Sequence, residues 1–147
     1  MMGSDDKAAT ASSLPVQAGT YALLLRVPGR QQLRIGGLGT RDLVAGWYVY
    51  AGSARGHGGI RARVSRHLCH DKKRRWHIDY VRVVAGVRDV RWTLDRRLTE
   101  HDVIASVLSL PGAIIPVVGF GSSDCRSGCR AHLVRLSKKP DLRDILG

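Results

Sequence analysis

The sequence predicts an α+β domain, with a small antiparallel sheet built early in the chain and helices laid against it. Two observations carry this. Three apolar segments (Tyr21 to Val27, Leu33 to Ile35 and Trp47 to Ala51) follow one another across short connections, and strands joined so closely pair antiparallel. Two later segments, from about Gly59 to His70 and from Leu98 to Leu110, space their apolar residues by three and four, the period of a helix with one buried face. With 147 residues, 44% of them hydrophobic, the chain is sized for one domain with its own core.

Residues 1–18 are small, polar and without period, so a disordered tail is expected there. The domain is expected over 19–137. Pro28-Gly29 is turn chemistry and predicts a hairpin between the first two strands. Gly36-Gly37-Leu38-Gly39 reads as a loop before the third strand. In the first helix Ile60, Val64 and Leu68 repeat at i, i+4 and i+8 and form its buried stripe. Trp76 to Val84 begins helical and ends extended, and Val87 to Leu94 reads as a strand. The second helix opens with Thr99 as N-cap and Asp102 three residues on, the spacing of a capping box, and Pro111-Gly112 stops it. Ile114 to Val118 and His132 to Leu136 are expected as short extra strands. Residues 138–147 are a polar extension with one helical turn over Asp141 to Leu146.

The charge is one-sided. Lys and Arg number 24 against 12 Asp and Glu, a formal net charge of +12. Such an excess favours polyanionic partners: DNA, RNA or an anionic membrane surface. No segment has the 18 or more apolar residues of a membrane span, and the N-terminus lacks the pattern of a secretory signal. The three cysteines form no disulfide framework, so a reducing, cytoplasmic setting is expected.

The richest stretch runs from Gly46 to Leu68. A strand holding Tyr48 and Tyr50 empties into a loop with Gly52, Ser53, Arg55, Gly56, Gly58 and Gly59. A helix with Arg61, Arg63, Arg66 and His67 follows. Backbone N–H groups and cations at a helix entrance suit phosphate, which makes Gly52, Ser53, Arg55, Gly59 and Arg61 candidate phosphate contacts. The Gly-Lys-Ser/Thr ending of a nucleotide P-loop and the spacing of a dinucleotide fingerprint are both missing. On a helical wheel Arg63 and His67 border the buried stripe and lie one turn apart, so they can act on one group of atoms, whereas Arg61 and Arg66 lie away from that edge. The run Lys72, Lys73, Arg74 and Arg75, followed by Trp76, offers a grip on a nucleic-acid backbone. Solvated arginines and a plain glycine turn are the ordinary alternatives.

Tyr48 and Tyr50 share one strand face, and Tyr21 lies on the neighbouring strand. A phenol beside cations can orient or deprotonate a water, although most such tyrosines are simply core. Glu100 falls in line with the stripe of Val103, Ile104, Val107 and Leu108, so it is expected to point inward. An inward carboxylate in so basic a chain calls for an arginine or a hard metal ion such as Mg²⁺. Cys125, Cys129 and His132 form a loose zinc-like set without paired C-x2-C knuckles.

Taken in order, Gly19-Thr20-Tyr21, Tyr50-Ala51-Gly52, Arg63 with His67, and an isolated Glu100 resemble the GIY-YIG nuclease superfamily. More narrowly, the segments around Trp76-His77-Ile78-Asp79-Tyr80 and Phe120 to Leu133 look like a mostly archaeal and bacterial family within it. The resemblance spans most of Gly19 to Leu136. It implies a central three-stranded antiparallel sheet flanked by helices and hydrolysis of phosphodiesters with one Mg²⁺ or Mn²⁺. It also implies Tyr21 and Tyr50 about the attacking water, Arg63 on the phosphate, His67 in support and Glu100 on the metal. Thr20 and Ala51 replace the superfamily's middle isoleucines at strand positions that face away from the tyrosines. Some members look fused to endonuclease III-like repair enzymes, which points to DNA rather than RNA. The alternatives are a catalytically silent nucleic-acid-binding module of the same fold and a zinc-stabilised partner-binding domain.

Overall fold

The computed structural model describes residues 13–69, 73–121 and 131–146. β1 (Gly19–Val27) is apolar at nearly every position because it is central, with both faces covered. Tyr21, Leu23 and Leu25 point to one face, and Ala22 and Leu24 to the other. β4 (Gly46–Ala54) lies antiparallel beside it, with Tyr21 opposite Gly52 and Leu25 opposite Tyr48. β5 (Gly86–Thr93) pairs with the other edge of β1, and β6 (Leu133–Leu136) with β4. The result is a four-stranded antiparallel sheet in the order β5-β1-β4-β6.

Helices cover the two faces. α1 (Gly59–Leu68) and the short α2 (His77–Val81) bury Ile60, Val64, Ile78 and Val81 against the tyrosine face. α3 (Glu100–Leu108) buries Val103, Ile104 and Val107 against Ala22, Leu24, Val49 and Ala51. Its cap is the expected box: Thr99 Oγ1 accepts from Asp102 N, and Asp102 Oδ2 accepts from Thr99 N at 2.9 Å. No helix among the described residues is long and apolar enough to cross a membrane.

Four expectations change. The second strand does not pair with the first. β2 (Gln31–Arg34) pairs with β3 (Thr40–Leu43) in a separate ribbon around the 3₁₀ turn Gly36–Leu38. Both edges of β1 are already taken, by β4 and β5. The sheet has four strands rather than three, because it lacks the Leu33–Ile35 segment and gains both β5 and β6. Ile114–Val118 is not a strand; Ile114 makes a single bridge to Arg135. The expected tail is ordered from residue 13 at least, since Leu14 is 1% exposed and belongs to the tyrosine-side core. At the other end, Leu142 and Leu146 close the α3-side core around the 3₁₀ turn Leu142–Asp144.

Candidate nucleic-acid cleavage site

The sheet register brings the expected residues together. Tyr21 lies across Gly52, where a Cβ would come within 2.4 Å of the phenol oxygen, so only glycine leaves room for the ring. The Tyr21 oxygen and His67 Nε2 share a 2.5 Å hydrogen bond. The Tyr50 ring lies 6.4 Å from Tyr21 and 5.7 Å from His67. All three side chains are buried, Tyr21 at 1% exposure and Tyr50 at 8%. Burial pushes the Tyr21 phenol well above its ordinary range; Tyr50 adds to this, and the Arg63 guanidinium pulls it back by charge and hydrogen bonding. The Tyr50 phenol is raised by burial and next by the Glu100 carboxylate, again opposed by Arg63. Arg63 and Glu100 therefore act on the same two oxygens from different elements. Thr20 and Ala51 do face away: Thr20 Oγ1 donates to Leu98 O, and Ala51 joins the α3-side core.

Glu100 stands at the first turn of α3 with its side chain 23% exposed. It is 3.9 Å from Nδ1 of the buried His132 and 3.9 Å from Nε2 of His101. Burial lowers the His132 pKa, Glu100 raises it and His101 lowers it again. Among the described residues no group of three or more His, Cys, Asp or Glu side chains is placed to hold a metal. Cys125 and Cys129 of the zinc alternative lie outside the described residues, as does Lys72.

The helix entrance is not an open phosphate cradle. Ile60 N donates to Gln17 O at 3.0 Å, Arg61 N to Pro15 O at 2.8 Å, and Arg61 Nε to Leu14 O at 2.8 Å. Gly59 sits so close beneath this segment that a Cβ would meet Gln17 O at 2.1 Å. The chain thus spends Gly59 and Arg61 on its own N-terminal strap, which satisfies the orphan amides that a phosphate would otherwise take. Gly52 is covered by Tyr21. Ser53 follows the alternation to the opposite face, where its hydroxyl is buried. What remains open is side-chain charge: Arg55, Lys73, Arg74 and Arg75 are exposed. A pocket of about 180 Å³ lies between the loop and α1, lined by Gly56, His57, Gly59, Ala62, Arg63 and Arg66.

Asp79 organises the basic edge, and sequence reasoning missed it. It is 2% exposed and accepts four hydrogen bonds: from Arg66 Nη1 and Nη2 at 2.8 Å each, from Arg75 N at 2.8 Å and from Trp76 N at 2.9 Å. Burial pushes its carboxyl up, but Arg66 and the two amides overcome this and hold it below the ordinary range. Arg66, so pinned, lies 4.0 Å from the centre of the Trp76 ring, and Arg63 lies 4.5 Å from the same ring. Trp76 is therefore a platform for two guanidiniums rather than a free surface for a base. The signal was present as spacing, because Asp79 stands three residues after the N-cap Trp76.

No curated protein and no solved structure matches the chain. One family model does, the domain of unknown function DUF123; it covers residues 20–146, nearly the whole sheet and both helical layers, and the chain belongs to that family.

Proposed function

We propose that the chain is a divalent-metal-dependent endonuclease of the GIY-YIG type, hydrolysing phosphodiester bonds in nucleic acid, DNA rather than RNA. The observation that carries this reading is the buried cluster of Tyr21, Tyr50 and His67, held by the Tyr21–His67 hydrogen bond, with the charges of Arg63 and Glu100 both felt at its two phenols.

The hydrolysis needs a proton taken from water, charge held on the phosphate and an oxygen released. A phenol raised by burial rests protonated, so Tyr21 does not start as a phenolate. The 2.5 Å hydrogen bond supplies the exit: as Tyr21 takes the water proton, its own proton passes to His67 Nε2. Tyr21 ends neutral, His67 ends as imidazolium, and the hydroxide attacks phosphorus as the bond from phosphorus to the leaving oxygen breaks; that oxygen takes a proton from solvent, and His67 returns its own proton to solvent. Tyr50 orients the water. Arg66 is neutralised by Asp79, which leaves Arg63 as the cation aimed at the phosphate. Glu100 fits a hard ion, since Mg²⁺ is commonly held by one or two carboxylates with waters and substrate phosphate, and a partly exposed carboxylate leaves space for them. When bound, Mg²⁺ or Mn²⁺ would supply Lewis-acid stabilisation of the phosphate and the leaving oxygen.

A second reading, a silent nucleic-acid-binding module, is favoured by the depth of Tyr21 in the core. Cleavage of plasmid and branched DNA with Mg²⁺ or Mn²⁺ separates the two. Nicking by the wild type and its loss, on the order of a hundredfold, in Glu100→Ala support the nuclease. Binding by both proteins with no metal-dependent nicking by either supports the silent module.

A further inference from the structure

We propose that the α3 side of the sheet carries a second binding groove for a phosphodiester backbone, so that one chain engages two nucleic-acid segments. The inference rests on the nucleic-acid reading above but uses none of its residues. The groove has a volume of about 460 Å³ and lies where the C-terminal extension passes over β1 and β5. Leu24 forms part of its wall. Asp89 pairs with Leu24 and Arg91 with Ala22, and both of those β1 residues belong to the α3-side core, so the groove opens on the face opposite Tyr21.

Its charge is arranged to receive an anion. Asp141 accepts from Arg143 Nη2 at 2.8 Å and from Arg143 N at 3.0 Å. Asp89 accepts from Val90 N at 2.9 Å and from Arg91 Nε at 3.3 Å. Asp144 also bears on Arg143. These carboxylates orient the two guanidinium forks without using all five donors of either, and the arginine side chains stay 39% and 67% exposed. Arg88 and Lys139 enter no ion pair among the described residues, so the groove keeps surplus positive charge. The strip continues past the groove, where Lys139 and Arg26 flank the Trp47 ring at 5.5 and 5.0 Å. A strip of separated cations longer than the groove matches a repeating phosphate backbone better than a single small anion.

The test is bridging of two short duplexes, one carrying a fluorescent donor and one an acceptor, by the full chain in EDTA, with single-duplex anisotropy measured in parallel. The wild type is expected to bring the two together. Arg88→Gln with Lys139→Gln is expected to weaken bridging on the order of tenfold while changing single-duplex affinity by less than about threefold. Arg88→Glu with Lys139→Glu is expected to abolish bridging. Unchanged bridging in both groove variants overturns the inference, as does wild-type binding of one duplex without bridging. Absence of any duplex binding by the wild type overturns the nucleic-acid reading itself, and the groove with it.

Discussion

Asp79→Asn removes one charge and almost no volume, so its effect isolates the hydrogen bonds at the hub. The carboxylate serves four donors, two on Arg66 and two on the backbone, through two oxygens. An asparagine has one oxygen. Turned toward the amides of Arg75 and Trp76, it presents its own N–H groups to Arg66; turned toward Arg66, it leaves both amides facing donors. Removing one partner of a buried pair costs about 3–5 kcal/mol, and the partial exposure of Arg66 lets water recover some of its share, so about 3 kcal/mol is expected at neutral pH. For a chain of this size that corresponds to a drop in Tm of about 6–12 °C. Urea unfolding followed by tryptophan fluorescence reads it, and the acid limb supplies a second check. The folded carboxyl lies below its unfolded value near ~3.9, so its stabilisation is complete above that value and disappears as pH falls through the folded pKa. The gap between wild type and variant should therefore hold from pH 7 to about 5, begin to shrink below about 4 and close as pH falls through the folded pKa. Asp95, Asp102 and Asp141 are also held low, but both proteins contain them, so they cancel in the difference. A gap under about 1 kcal/mol at pH 7, or one unchanged down to pH 3, would refute the hub.

Three further outcomes are expected. Gly52→Ala drives a methyl into the Tyr21 ring; it should cost about 1–3 kcal/mol in urea unfolding and reduce metal-dependent nicking beyond what that loss explains, and nicking at the wild-type rate would separate Tyr21 from catalysis. Leu14→Ala empties a buried site beneath the strap and should cost about 2–5 kcal/mol; a change under about 0.5 kcal/mol would show that the strap is not part of the core. Replacing Lys73, Arg74 and Arg75 by glutamine should weaken duplex binding and reduce the slope of log affinity against log salt by about 2 to 3, whereas an unchanged slope would place the phosphate contacts elsewhere.

The legible parts of this chain were those governed by local pattern. The period of Ile60 and Val64 located α1, the Thr99 and Asp102 pair marked the start of α3, and strand alternation put Tyr48 and Tyr50 on one face. Pairing was not legible. Pro28-Gly29 reads as a hairpin turn, yet the competition for the two edges of β1 is settled by partners 60 to 73 residues away in β5 and 19 to 35 away in β4. Leu14 was missed because a short strap with a single anchoring side chain has no period to detect. Asp79 was missed because its importance lies in a bond to Arg66, a residue that the helical wheel placed away from the edge of the buried stripe.

These two misses bear on the site in the same way. The helix entrance looked like the anion site because a helix N-terminus carries unsatisfied amides, but an anion and a carbonyl oxygen compete for the same donors. A tethered carbonyl is present at high effective concentration, and Pro15 and Gln17 supply two of them. Any phosphate at this edge must then be held by side chains. Side-chain cations on a surface are mobile unless something fixes them, and what fixes them here is Asp79, through Arg66 and the Trp76 ring that Arg63 shares. The glycine loop therefore shapes the site by leaving room for Tyr21 and the strap, while the guanidiniums provide its charge. If that division is right, Arg63→Lys should fail where a helix-dipole site would tolerate it. An ammonium keeps the charge but loses the planar guanidinium that lies over the Trp76 ring and holds the Tyr21 phenol down. Nicking by Arg63→Lys at the wild-type rate would return the phosphate to the backbone and refute the division.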